Sequence, residues 1–145
     1  MNGEDPRPAR GAVREIFDAA DAAKLEYEPS MDGDADPGEV VWAWVPFEED
    51  ASRGKDRPLL VVGRAKGELI ALMLSSKEPR DDYLELGAGA WDRDGRPSYL
   101  RLDRVFALDS DDDIRREGAV LAPAAFGQVV DVLRERHGWR STTRP

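Results

Sequence analysis

Cysteine is absent from this chain, histidine occurs once, and no apolar run approaches a membrane-spanning length. Without Cys there can be no disulfide, Fe–S cluster or thiolate zinc site, and the composition suits a reducing compartment. One His, His137, rules out a multi-histidine metal centre within one chain. A membrane helix needs about 20 consecutive apolar residues, and the N-terminus has no signal-like apolar core. The expectation is a cytoplasmic protein with no membrane partner and no cofactor.

What is present is a chain of 145 residues, 41% apolar and 35% charged. That length suits one globular unit, burying roughly two thirds of the surface its unfolded chain exposes. The net charge of −9 opposes nucleic-acid binding, which draws most of its affinity from basic contacts to phosphate. The charges are segregated, however. Acidic residues gather at Asp32–Asp36, Glu48–Asp50, Glu78–Asp82 and Asp109–Asp113. Basic ones gather at Arg53/Lys55/Arg57, Arg93/Arg96/Arg101/Arg104 and Arg134/Arg136/Arg140. Solvated loops are the plain reading of such runs.

The order of elements reads as follows. Residues 1–11, rich in Pro, Gly and Arg, are expected to be disordered. Val13, Ile16, Phe17 and Ala20 recur at helical spacing and predict a helix over Ala12–Leu25. Residues 27–37 form an acidic loop. From Glu39 the period becomes alternating, with Val40, Trp42 and Trp44 on one face and Val41, Ala43 and Val45 on the other. Both faces are apolar, as in a central or barrel strand. Leu59–Val62 and Glu68–Leu74 predict strands joined by a hairpin, with Gly67 free to take positive φ. Further strands are expected at Tyr83–Leu86 and, as one continuous element, Ser98–Leu108. Pro123 opens a C-terminal helix that Gly138 stops. The fold class is α+β: a small antiparallel, partly closed barrel with an N-terminal and a C-terminal helix. The domain division is 1–37 as an extension, 38–140 as the barrel and 141–145 as a tail.

Few catalytic arrangements remain available. Gly87-Ala-Gly-Ala-Trp91 lacks the third glycine and the following helix of a nucleotide loop. Asp109–Asp113 lacks the glycine and glutamate that close a calcium loop. Arg57 is different: Pro58 restrains it to extended geometry and it stays charged at any cellular pH, so it can handle phosphate. Ser75 and Ser76 end a strand, and Arg101 and Asp103 alternate on another. Such hydroxyls and guanidinia can hold a phosphate, while a carboxylate beside them takes a proton from a 2′-hydroxyl. The plainer readings stand beside these: Arg-x-Asp as an ion pair on a barrel rim, Ser-Ser as a turn. Trp42 and Trp44 suit core or dimer contact better than base stacking. His137 suits a helix-end interaction with the macrodipole.

Gly38-Glu-Val-Val-Trp, Arg57-Pro-Leu-Leu-Val-Val, Ser75-Ser76-Lys77 and Tyr99-Leu-Arg-Leu-Asp-Arg-Val105 fall in the order seen in the PemK/MazF toxin endoribonucleases. The last segment resembles Kid-type members, and Arg116-Glu-Gly-Ala-Val-Leu-Ala-Pro123 resembles the family's turn into its last helix. The resemblance covers about residues 38–137. It implies an SH3-like barrel assembled as a homodimer. The implied activity is metal-independent cleavage of single-stranded RNA at a short sequence, giving 2′,3′-cyclic phosphate and 5′-hydroxyl ends. An antitoxin protein is the implied inhibitor. The carried-over catalytic residues are Arg57 and Ser75 on the phosphate and Arg101 and Asp103 as acid and base. Arg53, Lys55, Ser76 and Lys77 are the implied RNA contacts, the first two on a mobile loop from Phe47 to Asp56. This loop carries Glu48-Glu49-Asp50, and Ser75 stands where Thr is commoner. The rival expectation is a non-catalytic barrel that binds protein, as a CcdB-like gyrase inhibitor or an inactive regulatory relative.

Overall fold

A computed structural model describes residues 6, 13–16, 24–25, 27, 36–65, 67–76, 83–89, 91–92, 94–108 and 114–141. Its centre is a long antiparallel hairpin. Leu59–Val62 and Leu69–Leu74 are unbroken apolar runs whose two faces both find cover, so the strands they seed grow beyond the runs. The expected strand at 59–62 extends to Gly54–Ala65, and its partner to Glu68–Ser75. Gly67 turns the hairpin at φ +81°, a conformation open to glycine.

In chain order the strands are β1 Arg14–Ile16, β2 Lys24–Leu25, β3 Glu39–Pro46, β4 Gly54–Ala65, β5 Glu68–Ser75 and β6 Tyr83–Gly87. There follow β7 Ser98–Arg101, β8 Val105–Leu108, β9 Arg115–Val120, the helix α1 Pro123–His137 and β10 Arg140–Ser141. Each long strand serves different neighbours at its two ends. β4 pairs with β3 over Gly54–Leu60 and with β2 at Gly63 and Arg64. β5 pairs with β8 over Leu69–Ala71 and with β7 at Leu74 and Ser75. A bulge between Val61 and Gly63 lets the ladder bend between these ends. β9 extends one half through β3, β6 through β7, β1 the other half through β8, and β10 lies parallel to β2.

Two cores lie on the two faces of the hairpin. Leu60, Val62, Ile70, Leu72 and Leu74 face α1, whose Phe126, Val129, Val130 and Leu133 complete that cluster. Leu59, Val61, Leu69, Ala71 and Met73 face the other way, with Val41, Ala43, Val45, Phe106 and Leu108. The alternation in β3 is therefore real on both sides, as its sequence predicts. α1 begins at Pro123 and ends at Gly138, which takes φ +72° and donates its N–H to the Arg134 carbonyl at 2.8 Å.

Several expectations are corrected. The helix over 12–25 is not formed at either end: Arg14–Ile16 and Lys24–Leu25 are strands, and 17–23 lie outside the described residues. Open edges of β8 and β4 offer backbone partners that a short isolated helix lacks. Among the described residues the strand pairings branch from the central hairpin and never return on themselves, so the sheet is not a closed barrel. Ser98–Leu108 is two strands, because the chain crosses from the β7 position on β5 to the β8 position at Leu102–Arg104. Arg115–Val120 is a strand on β3 rather than a turn. The loop after β3 closes by Arg53, which places Lys55 on β4. Most of 1–11 and 28–35, together with 109–113 and 142–145, lie outside the described residues.

Candidate functional site

β4 overhangs its partner. Its pairing with β5 starts at Leu59, while Gly54–Pro58 are held by β3 alone among the described residues. Along that free edge opens a cleft of about 450 Å³. Lys55, Asp56, Arg57 and Pro58 form one wall, and Leu74, Ser75 and Ser76 form the end. Trp42 and Arg115, Trp91 and Asp92, and Asp94, Arg96 and Ser98 complete it.

Arg57 is half-buried, and its guanidinium has no hydrogen bond or ion pair among the described residues. Burial, then the charges of Arg104 and Arg101, press its pKa below the ordinary arginine value; Tyr83 and Glu49 act in the opposite sense. A cation left this way is unspent, and an anion in the cleft would relieve it. Ser75, the last residue of β5, lines the same cleft and stands opposite Tyr99 across the ladder. Lys55 and Ser76 line it as well. Arg53 does not: it is exposed, 5.8 Å over the Phe47 ring. Lys77 lies outside the described residues.

Arg101 and Asp103 are near the cleft without lining it. The bend after β7 folds them into a chelate, with Arg101 Nε donating to Asp103 Oδ1 at 2.6 Å and Nη2 to Oδ2 at 2.9 Å. Arg101 Nη2 also donates to Glu48 Oε1 at 2.8 Å. These hydrogen bonds, Asp103 foremost, outweigh burial and raise the Arg101 pKa. Burial pushes Asp103 up, but the Arg101 bonds and charge prevail and hold its carboxyl below the usual range. The neighbouring Arg104 is buried and spent on Glu15, at 3.0 and 2.8 Å, and on the Pro46 carbonyl at 3.1 Å. The four residues that the sequence reading assigns to one groove are thus divided: Arg57 and Ser75 line the cleft, and Arg101 and Asp103 form a pair that does not line it.

The loop that carries Glu48 is braced internally. Phe47 N–H reaches the Arg53 carbonyl at 2.8 Å, and Arg53 N–H the Asp50 carbonyl at 3.1 Å. Asp50 Oδ1 accepts from the Ser52 hydroxyl at 2.7 Å and from its N–H at 3.0 Å, which lowers the Asp50 pKa.

Reasoning from the sequence missed the far wall. Arg115 sits over the Trp42 ring at 5.5 Å and donates to Asp56 at 2.7 Å. Their adjacency comes from the β3–β9 pairing, Trp42 with Arg115, which only a recognised ninth strand would reveal. Trp91 donates to Ser98 Oγ at 2.8 Å, and Arg96 to Asp92 at 2.9 Å. Gly89 is obligatory beneath that wall, since a Cβ there would fall 2.2 Å from the Trp91 ring. No group of three or more His, Cys, Asp or Glu side chains with metal-site geometry occurs among the described residues. Among the described residues no helix is long and apolar enough to cross a membrane.

Residues 36–136 match the family of PemK-like, MazF-like toxins of type II toxin–antitoxin systems. No curated protein matches the chain. The match spans most of the sequence, and the chain belongs to that toxin family.

Proposed function

We propose that this member of the PemK-like toxin family is an endoribonuclease that cuts single-stranded RNA at a short sequence, without a metal ion, leaving 2′,3′-cyclic phosphate and 5′-hydroxyl ends. The observation that carries the reading is Arg57: a half-buried guanidinium with no protein partner among the described residues, facing a cleft that also holds Ser75. RNA supplies its own nucleophile, so the protein needs to grip the scissile phosphate, neutralise the charge that grows on it and take up one proton. Arg57 and Ser75 hold the phosphate, with Lys55 and Ser76 along the strand that leads to it. Arg101 adds positive charge from the side. The carboxylates that flank Arg101 are the acceptors for the 2′-hydroxyl proton. Membership of a type II family supports an antitoxin partner, which would cover this cleft, and a homodimer as the assembled form.

The test is incubation of the purified chain with a long unstructured RNA in EDTA, beside Arg57→Ala. Cleavage at a recurring short sequence with cyclic-phosphate ends is expected, and the variant should lose about 10²–10³-fold, as for removal of one oxyanion-binding group. A second reading has its own support: Glu48 and Asp103 neutralise Arg101, and Glu15 neutralises Arg104. That suits a barrel-like relative that binds protein instead of RNA. Absence of cleavage by folded wild type free of antitoxin would favour it.

A further inference from the structure

We infer that Glu48, and not Asp103, is the carboxylate that takes the 2′-hydroxyl proton in this chain; the inference rests on the ribonuclease reading above. The two acids share Arg101 but are held differently. Asp103 gives both oxygens to the guanidinium, Oδ1 to Nε and Oδ2 to Nη2, and also accepts from its own backbone N–H. Its lone pairs face the arginine, and moving it would release Arg101. Glu48 is bound through Oε1 alone, and Oε2 has no partner among the described residues. The Glu48 side chain is 60% exposed, against 33% for Asp103.

The guanidinium itself shows where substrate fits. Nε and Nη2 of Arg101 are spent on the two acids, while Nη1 has no partner among the described residues. Arg101 is close enough to Arg57 for its charge to press on it, so a phosphate drawn to Arg57 approaches Arg101 and the Glu48 carboxylate bound to it. Asp103 then positions Arg101, and Glu48 does the proton transfer. In the step, the 2′-oxygen–phosphorus bond forms as the bond from phosphorus to the 5′-oxygen breaks. The 2′-hydroxyl proton passes to Glu48 Oε2, the leaving oxygen takes a proton from water, and the hydroxide so formed takes the proton back from Glu48, restoring its carboxylate. Glu48 is paired with Arg101 at the end of β7; Arg101 in turn is faced by Asp103 and by Tyr83 opposite it on β6, and Arg57 on β4 by Arg101, Arg104, Tyr83 and Glu49.

The experiment compares wild type, Glu48→Gln and Asp103→Asn in single-turnover cleavage across pH. Binding is measured separately with the same RNA carrying a 2′-deoxy residue at the cut. Glu48→Gln should bind that uncleavable RNA at least as tightly as wild type, since a negative charge leaves the site. Its cleavage should fall by about 10²–10⁴-fold, the usual contribution of a general base, with loss of the acid limb of the rate profile. Asp103→Asn should be slower while keeping that limb. The inference is overturned if Glu48→Gln cleaves as fast as wild type or faster, which would make Glu48 a screen on Arg101. It is equally overturned if the acid limb disappears in Asp103→Asn and survives in Glu48→Gln. Failure of wild type to cleave would remove the ribonuclease reading itself, a result distinct from both.

Discussion

His137 shows how a residue can sit where its sequence places it for a different physical reason. It ends α1, as expected, but stacks on Trp139 with ring centroids 4.5 Å apart, and its Nε2 is buried with no partner among the described residues. Burial first, and the Arg136 charge second, lower its pKa. The folded state therefore favours the neutral ring, so charge against the helix dipole is not what holds it. An unfolded chain titrates His near about 6.5. Above that range both states are neutral and the residue leaves stability unchanged. Below it the unfolded chain binds a proton that the folded chain resists, so stability falls as pH drops through and below the unfolded value. Urea midpoints should accordingly decline between about pH 7 and pH 5 more steeply for wild type than for His137→Gln. Equal slopes would show that His137 is not the group responsible.

At the scale of elements, Gly138 gives the sharpest test. It is left-handed at φ +72°, and a Cβ there would meet nothing within 4 Å. Gly138→Ala should cost about 1 kcal/mol through backbone conformation alone, read as a lower denaturation midpoint with cleavage unchanged. The helix boundaries were legible because proline, glycine and a 3.6-residue stripe are local signals. β3 to β5 were legible because their alternation and hairpin turn are local too. What could not be read was pairing across long separations. β9 owes its place to Glu39, which is fully buried and accepts from Arg116 at 2.7 and 2.9 Å. The Glu of the Gly38-Glu39 step is thus an anchor for a strand nearly eighty positions on, and nothing near either residue announces it. The short β1 and β2 were misread for a related cause: their apolar spacing fits a helix as well as an edge strand, and only the vacant edges of β8 and β4 decide.

For the whole molecule the deciding quantity is charge. The chain is −9, and the cations lining its cleft are Lys55, Arg57, Arg96 and Arg115. A single strand contributes about −0.7 to the salt slope for each phosphate neutralised, so the slope of log K against log salt should be shallower than about −3. Anisotropy titrations with the uncleavable RNA would measure it. A markedly steeper slope would mean that a further basic surface, outside this cleft, meets the RNA. The acidic composition argues against a broad basic face, but it has no bearing on a small cleft in which one arginine has no hydrogen bond or ion pair among the described residues. The branching of the sheet was equally invisible, since closure depends on how registers sum around the fold and not on any strand alone.

The four tryptophans divide by place. Trp42 and Trp91 line the cleft, with Arg115 over the first, while Trp44 lies buried against Gly54 and Trp139 under the end of α1. Emission from this protein is thus the sum of two indoles that a guest in the cleft would quench or shift and two that are packed away from that cleft. The chain carries separate optical gauges for occupancy and for folding, with no dye attached.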